Sequence, residues 1–488
     1  MTLDLTKLGL RAATIDELLS GSYQAEVGQK DTTDLAALRL AAWARASASG
    51  NWGLFFKRLK RDGLSVDEIL SKFANVRQVP HAKSPTWVDD ANWIFEALTG
   101  EIGHRPSREA VEVEPLPFEK LFYSLLNLAE KYVYEILSNA ACARLDDSAK
   151  ADLRGGLLKL LTDLYAPLLY SKFVATLKSQ TADGKLPASA ENAGTEQVDA
   201  LIESLRTRLL SEIFEEKPVL LRLTATIVRQ WIDTSSELIY RLDSDIVAIK
   251  TLITGSAPEV KVHAIGGDLS DPHNFGHSVQ ILTFSDKTKI VYKPKDLQLD
   301  VAWHDLIQRF NASAPPVDLK PVKTIAKDGY GWTEFISHTE CESEQDIELF
   351  YRRAGAWLAV FHLFASSDMH YENILAHGAH PVPIDLEMIL QSSTPEAEQK
   401  TPETEAAIEA SQRLNDSVLM VGMLPSYAKT PNNKIFDAGG LNAVKSSAPV
   451  GIWKNINTDG MRWMQTPSES IETPNIPYAD GKYAMLGD

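Results

Sequence analysis

The stretch FYRRAGAWLAVFHLFASSDMHYENILAHGAHPVPIDLE, residues 350–387, decides the reading of the fold. Its first part continues a row of apolar positions, Ile347, Phe350, Tyr351, Ala354, Trp357, Leu358 and Phe361, at helical spacing, which predicts a helix over 344–365. The polar run SSDMHYEN ends that helix, and ILAHG followed by PVPIDLE reads as a short apolar segment and a strand finishing at Glu387. Upstream, VQILTF from Val279 and TKIVYK from Thr288, joined by Ser285, Asp286 and Lys287, read as a β-hairpin, with further strands at VKTIA and GWTEFI. A small sheet capped by a buried helix is expected.

Still earlier, residues 1–250 are a succession of amphipathic patterns, among them DLAALRLAAWARA, VDEILSKF, WVDDANWIFEAL and VDALIESLRTRLLSEIF, with no internal repeat of fixed period. The texture changes near Gly255, where IGGDLSDPHNFGHS precedes the hairpin. Beyond Glu387, residues 392–410 are Glu-rich and contain Pro395 and Pro402, the composition of a mobile insert, and the remainder is rich in Pro, Gly and Asn. The expected class is α+β: a helical region over 1–235, a catalytic core over 236–391, and an irregular tail over 392–488. So long an irregular ending also leads us to expect a chain cut short, with its last lobe incomplete.

Composition narrows the functional classes. With 488 residues and 44% hydrophobic content the chain can bury more than one core. Lys and Arg number 49 against 66 Asp and Glu, a net charge of −17, so nucleic acid and anionic lipid surfaces are expected to be repelled. Cys142 and Cys341 stand far apart in sequence, which excludes a disulfide scaffold and a cysteine zinc site. The N-terminus carries charges and no apolar core of a signal peptide, so a cytoplasmic protein is expected. The apolar run from Leu157 is broken by Lys159, Asp163, Pro167 and Lys172 and reads as a core helix, with no membrane span expected.

Three separated elements carry chemistry: Lys293 in IVYKPK, the loop DMHYEN from Asp368 to Asn373, and Asp385 in PIDLE. Phosphoryl transfer from ATP requires a strand lysine against the nucleotide phosphates and a loop aspartate with an asparagine five positions on. A further metal-binding aspartate follows about a dozen positions later. Asn373 and Asp385 are hard oxygen donors that suit Mg²⁺ better than zinc. Taken singly, a strand lysine is usually solvated and loop Asp or Asn usually forms turns; order, residue type and two spacings together carry the reading. DMH and GDLSD also echo binuclear phosphoesterase motifs, but in the wrong order and without the third piece. His377 and His380 in HGAH are expected to face solvent.

Taken together, SDPHNFGHSVQILTF, KIVYKPK, GWTEFI and the 350–387 stretch resemble the dehydratase domain of class II lanthipeptide synthetases (LanM type). The resemblance implies an atypical, lipid-kinase-like core that uses ATP and Mg²⁺ to phosphorylate Ser and Thr of a ribosomally made precursor peptide. Phosphate is then eliminated to leave dehydroalanine or dehydrobutyrine. By resemblance, Lys293, Asp368, His370, Asn373 and Asp385 fall on phosphorylation positions, and Asp271 and His273 on elimination positions. A separate cyclase is a possible partner. Kinase-only activity and a non-catalytic, peptide-binding role are the alternatives. The family's downstream arginine and threonine have no match at Arg413 or Arg462, and Lys295 stands where the family has an arginine, preserving charge without the bidentate fork.

Overall fold

The computed structural model describes residues 3–20, 22–25, 32–73, 76–79, 82–103, 114–179, 193–251, 261–267, 271–390, 402–429, 435–437, 439–442, 450–466 and 474–484. The first half is helical: α1 (Leu5–Arg11), α2 (Ile15–Leu19), α3 (Thr32–Ala48), α4 (Trp52–Arg61), α5 (Val66–Phe73), α6 (Thr86–Thr99), α7 (Tyr123–Glu135), α8 (Asn139–Cys142), α9 (Asp147–Ser179), α10 (Glu196–Ser204), α11 (Leu210–Glu216) and α12 (Pro218–Ile249). A short antiparallel pair, β1 (Tyr23–Ala25) and β2 (Val76–Gln78), closes the N-terminal helices.

The helices form because their apolar residues recur at helical spacing. In α9, Leu157, Leu161, Tyr165, Leu169, Phe173 and Leu177 are buried at every fourth position. Pro167 lies inside this helix, exposed on its outer face. A mid-helix proline costs about 3 kcal/mol, whereas six buried side chains of this size contribute about 1.5–3 kcal/mol each, so burial decides the matter. In α12, Leu221, Ala225, Val228, Ile232, Ile239, Leu242, Ile246 and Ile249 pack inward in the same way. Thr224 on α12 meets the buried Tyr165 hydroxyl at 2.7 Å.

A five-stranded antiparallel sheet follows, comprising β3 (Val262–Gly266), β4 (Gln280–Phe284), β5 (Lys289–Lys293), β6 (Thr324–Lys327) and β7 (Tyr330–Glu334) in the order β3-β4-β5-β7-β6. The pleat assigns its two faces. Leu282, Phe284, Ile290, Tyr292 and Trp332 enter the large core shared with α12. Alternation sends Lys293 and Thr333 to the other face. That face is covered by α13 (Gln298–Ala312), α14 (Glu344–Leu363) and the hairpin β8 (Ile374–His377)–β9 (His380–Pro383), which build a second core around Trp303, Phe350, Trp357 and Phe361. A third core, from Leu18 to Phe73, belongs to the N-terminal helices.

The helix α12 ends at Ile249, within the helical stretch expected up to residue 250. One expectation changes. The tail, read as irregular, contains α15 (Pro402–Asn415) and the hairpins β10 (Tyr427–Lys429)–β11 (Ile435–Asp437), β12 (Val450–Lys454)–β13 (Arg462–Thr466) and β14 (Tyr478–Ala479)–β15 (Lys482–Tyr483). Residues 391–401, most of the expected insert, lie outside the described residues. Val421, Met423 and Leu441 of the tail join the second core, and Met461 joins the first. Such order comes from long-range packing, which leaves no periodicity to read.

Candidate functional site

The site assembles where β5 ends. Lys293, its last residue, is buried and donates from Nζ to the carbonyl of Ile384, the residue before Asp385. The Ile384 N–H donates to Asn373 O at 2.9 Å. A single residue therefore ties the strand lysine, the loop asparagine and the position of Asp385 into one frame. This works because β8 and β9 pair Ile374 with Pro383, which puts Asn373 and Ile384 side by side at the open end of the hairpin.

Charges on this frame are matched. Lys295 lies 2.8 Å from Asp385 Oδ1 and also bonds Glu387. Burial would push the Asp385 carboxyl up, but Lys295 and Lys293 hold it below the usual carboxylate range. For Lys293 burial dominates and lowers its pKa against the pull of Asp300 and Asp385. Burial likewise opposes the charge on Lys295, yet Asp385 and Glu387 raise its pKa. Asp300, in the first turn of α13, is raised by burial against Lys293 and Lys295. It lines a narrow cleft with Lys293, Trp303, Thr333 and Leu386. Sequence reading passed over Asp300 because it missed α13. The signal was there: Trp303, Ile307 and Phe310 stand at i, i+4 and i+7.

The loop that follows α14 is pinned from both sides. Asp368 adopts φ 70°, a left-handed conformation uncommon for a side-chain-bearing residue, and Asn373 Nδ2 donates to its carbonyl at 2.8 Å. The Asp368 carboxylate is half-exposed, with Oδ1 3.5 Å from His370 Nε2, while Glu372 N–H donates to His370 Nδ1 at 3.2 Å. From the tail, Met369 N–H donates to Val421 O at 2.9 Å and His370 bridges Gly439. A Cβ at Gly440 would sit 2.2 Å from Met369 O, so only glycine permits this close approach.

A divalent cation fits the donor set. The Asp385 carboxyl is held below the usual carboxylate range, and Asn373 spends its amide NH₂ on the Asp368 carbonyl, which leaves its Oδ1 as a second hard oxygen donor. Among the described residues no group of three or more His, Cys, Asp or Glu is placed to hold a metal. Mg²⁺ commonly takes one or two carboxylates and draws its other ligands from phosphate and water.

Asp271 and His273 lie apart from these five residues, exposed on the loop between β3 and β4. No hydrogen bond or ion pair joins either side chain to the frame among the described residues. Register still brings the loop to the right end of the sheet, because Gln280, where it enters β4, pairs with Tyr292 next to Lys293. The loop's 273–277 part is held by hydrogen bonds. His273 and His277 exchange backbone hydrogen bonds at 2.8 and 2.9 Å, and the His277 ring reaches Asn274 O and Glu237 Oε2, both at 2.6 Å. Glu237 pairs with Arg241, and Arg241 donates to the Tyr292 hydroxyl. Gly276, at φ 93°, would press a Cβ to 3.0 Å from Gln230.

Two histidines depart from expectation. His377 and His380 close the β8–β9 turn, with His377 Nδ1 2.9 Å from Ser337 O. His380 Nδ1 is buried, and burial with the nearby Arg353 lowers its pKa to about 4. The hairpin turns their rings inward against neighbouring chain. Arg413 makes a surface pair with Glu409, and Arg462 lies on a hairpin whose Trp453 packs against Tyr170 of α9.

The fold and site define an α+β protein that holds a strand lysine, a loop aspartate and asparagine, and a second aspartate on one frame. Residues 218–488, more than half of the chain, match the family described as a domain of unknown function (DUF4135), and the chain belongs to that family. It is also similar to the lacticin 481/lactococcin biosynthesis protein LcnDR2 of Lactococcus lactis subsp. lactis, 28% identical over 169 residues, 33% of this chain and 18% of that protein. The similarity thus spans well under two thirds of the relative's length. Together these findings bear out the likeness to class II lanthipeptide synthetases. No helix among the described residues is long and apolar enough to cross a membrane.

Proposed function

We propose that the chain performs the dehydration chemistry of lanthipeptide biosynthesis on a lipid-kinase-like core, using ATP and Mg²⁺ on a ribosomally made precursor peptide in the cytoplasm. The observation that carries this reading is the junction of Lys293 and Asn373 through Ile384. Lys293 would meet the phosphates of ATP, while Asp385 and Asn373 would hold the metal, which neutralises charge on the β- and γ-phosphates. Asp368, with His370 beside it, would receive or orient the proton of the attacking Ser or Thr hydroxyl. The new Oγ–P bond forms as the bond from γ-phosphorus to ADP breaks. In the second stage a base takes the Cα proton, the Cβ–O bond breaks, and phosphate leaves with its electron pair as Cα=Cβ forms. Asp271 and His273 are the groups assigned to that stage, acting as base or as donor to the departing phosphate. A cyclase, supplied separately, would act on the dehydrated product.

The alternative reading is a kinase that phosphorylates without eliminating. Mass spectrometry of a cognate precursor incubated with the chain, ATP and Mg²⁺ tests both. Loss of water on Ser and Thr supports the full reading, and stable phosphate gain supports the kinase alone. Lys293→Met and Asp385→Asn should abolish either change. Wild-type phosphorylation rates in folded variants would overturn the site assignment.

A further inference from the structure

The N-terminal module with the third core lies outside the matched family region and contributes nothing to the site above. Its helix α4, WGLFFKRLKR, buries only Phe55 and Leu59. The other positions face out. Trp52, Phe56 and Lys60, at i, i+4 and i+8, form one exposed ridge, and Gly53, Lys57 and Arg61 form the ridge beside it. Trp52 is 42% exposed and Phe56 47%, with their rings 5.7 Å apart and tilted 36° to each other, so two large aromatic side chains sit side by side on the exposed surface. Leu54, 54% exposed, flanks the basic ridge on its far side. Four cations, Lys57, Arg58, Lys60 and Arg61, crowd the second half of the helix, where Asp62 pairs with Arg58 at 3.5 Å and Arg61 at 2.8 Å.

We propose that this outward face of α4 binds an anionic phospholipid surface. An interfacial helix combines a cationic face with aromatic and leucine side chains at the headgroup level, and the adjoining ridges of α4 carry both. Trp and Phe enter the headgroup boundary while the lysine stems lie along it and present their ammonium groups to phosphate. The net charge of −17 argues against such contact only at long range. At physiological ionic strength fields decay over about 8 Å, so a surface touching α4 meets its cations before the acidic remainder of the molecule. Charge complementarity selects anionic over neutral lipid, and the exposed aromatic pair favours a lipid boundary over a nucleic-acid or polypeptide ligand held by charge alone.

Flotation of the full chain with phosphatidylcholine vesicles, and with vesicles of equal phosphatidylcholine and phosphatidylglycerol, tests this. The chain should float with the anionic vesicles at least about tenfold more than with the neutral ones, and added salt should weaken the association. Lys57→Glu with Lys60→Glu, and separately Trp52→Ala with Phe56→Ala, should each cut binding about tenfold while circular dichroism stays unchanged. Because the two pairs remove different chemistry from exposed positions, failure of one to fold leaves the other decisive. Absence of wild-type binding to the anionic vesicles, or undiminished binding by both folded variants, overturns the proposal. So does binding of polyglutamate through the same lysines without vesicle binding, which would make the surface a site for an acidic polypeptide.

Discussion

Lys295 lies 2.8 Å from Asp385, so the aspartate read as a metal ligand already holds a protein cation. Lysine and metal would compete for one carboxylate. Lys295→Met should therefore tighten Mn²⁺ or Mg²⁺ binding severalfold, since removing a unit charge at this distance is worth on the order of 1 kcal/mol or more near a surface. ATP affinity should fall at the same time, since a cation beside the proposed phosphate-binding Lys293 is lost. Calorimetric titration of metal and nucleotide separately checks both signs.

Asp368 projects from a residue held at φ 70° by Asn373 and by the tail behind Met369. Asp368→Asn keeps the shape and removes the carboxylate proposed to receive or orient the hydroxyl proton. It should lower the phosphorylation rate on the order of a hundredfold with little change in nucleotide affinity. Equal losses in binding and turnover would assign Asp368 a structural role.

His380 links acid to stability. Its ordinary pKa of 6.5 falls to about 4 in the folded chain, chiefly through burial. Between those values the unfolded chain binds the proton and the native chain does not. The contribution is complete above pH 6.5 and is lost as pH falls toward 4. The drop in urea midpoint from pH 7 to pH 5 should be smaller in His380→Gln than in the wild type.

Asp245 anchors α12 to the sheet. It is buried, pairs with Lys327 at 2.7 Å, and accepts from the Tyr330 hydroxyl at 2.9 Å and Trp332 Nε1 at 3.0 Å. Asp245→Ala strands two donors and a cation and should cost about 2–4 kcal/mol in urea unfolding. Lys327→Met, which removes only the more exposed partner, should cost less.

Much of this was legible in the chain. The helix of 344–363, the hairpin of 280–293 and strands β6 and β7 follow from period and turn chemistry, properties of neighbouring residues. The chemistry-bearing types at Lys293, Asp368, Asn373 and Asp385 were legible for the same reason. What joins them was not: Lys293 meets Ile384 across 91 positions, and Lys295 meets Asp385 across 90. Such contacts depend on sheet register and on which face each side chain takes, and local periodicity encodes neither partner nor distance. The spacing of Trp303, Ile307 and Phe310 marks the helix that carries Asp300, but its place beside Lys293, like the inward rings of His377 and His380, became visible only once helix and hairpin were packed. The tail shows this most plainly. Its Pro-, Gly- and Asn-rich sequence has no period of its own, yet Val421, Met423 and Leu441 are buried beneath the Asp368 loop because α14 and β8 supply the surface that orders them.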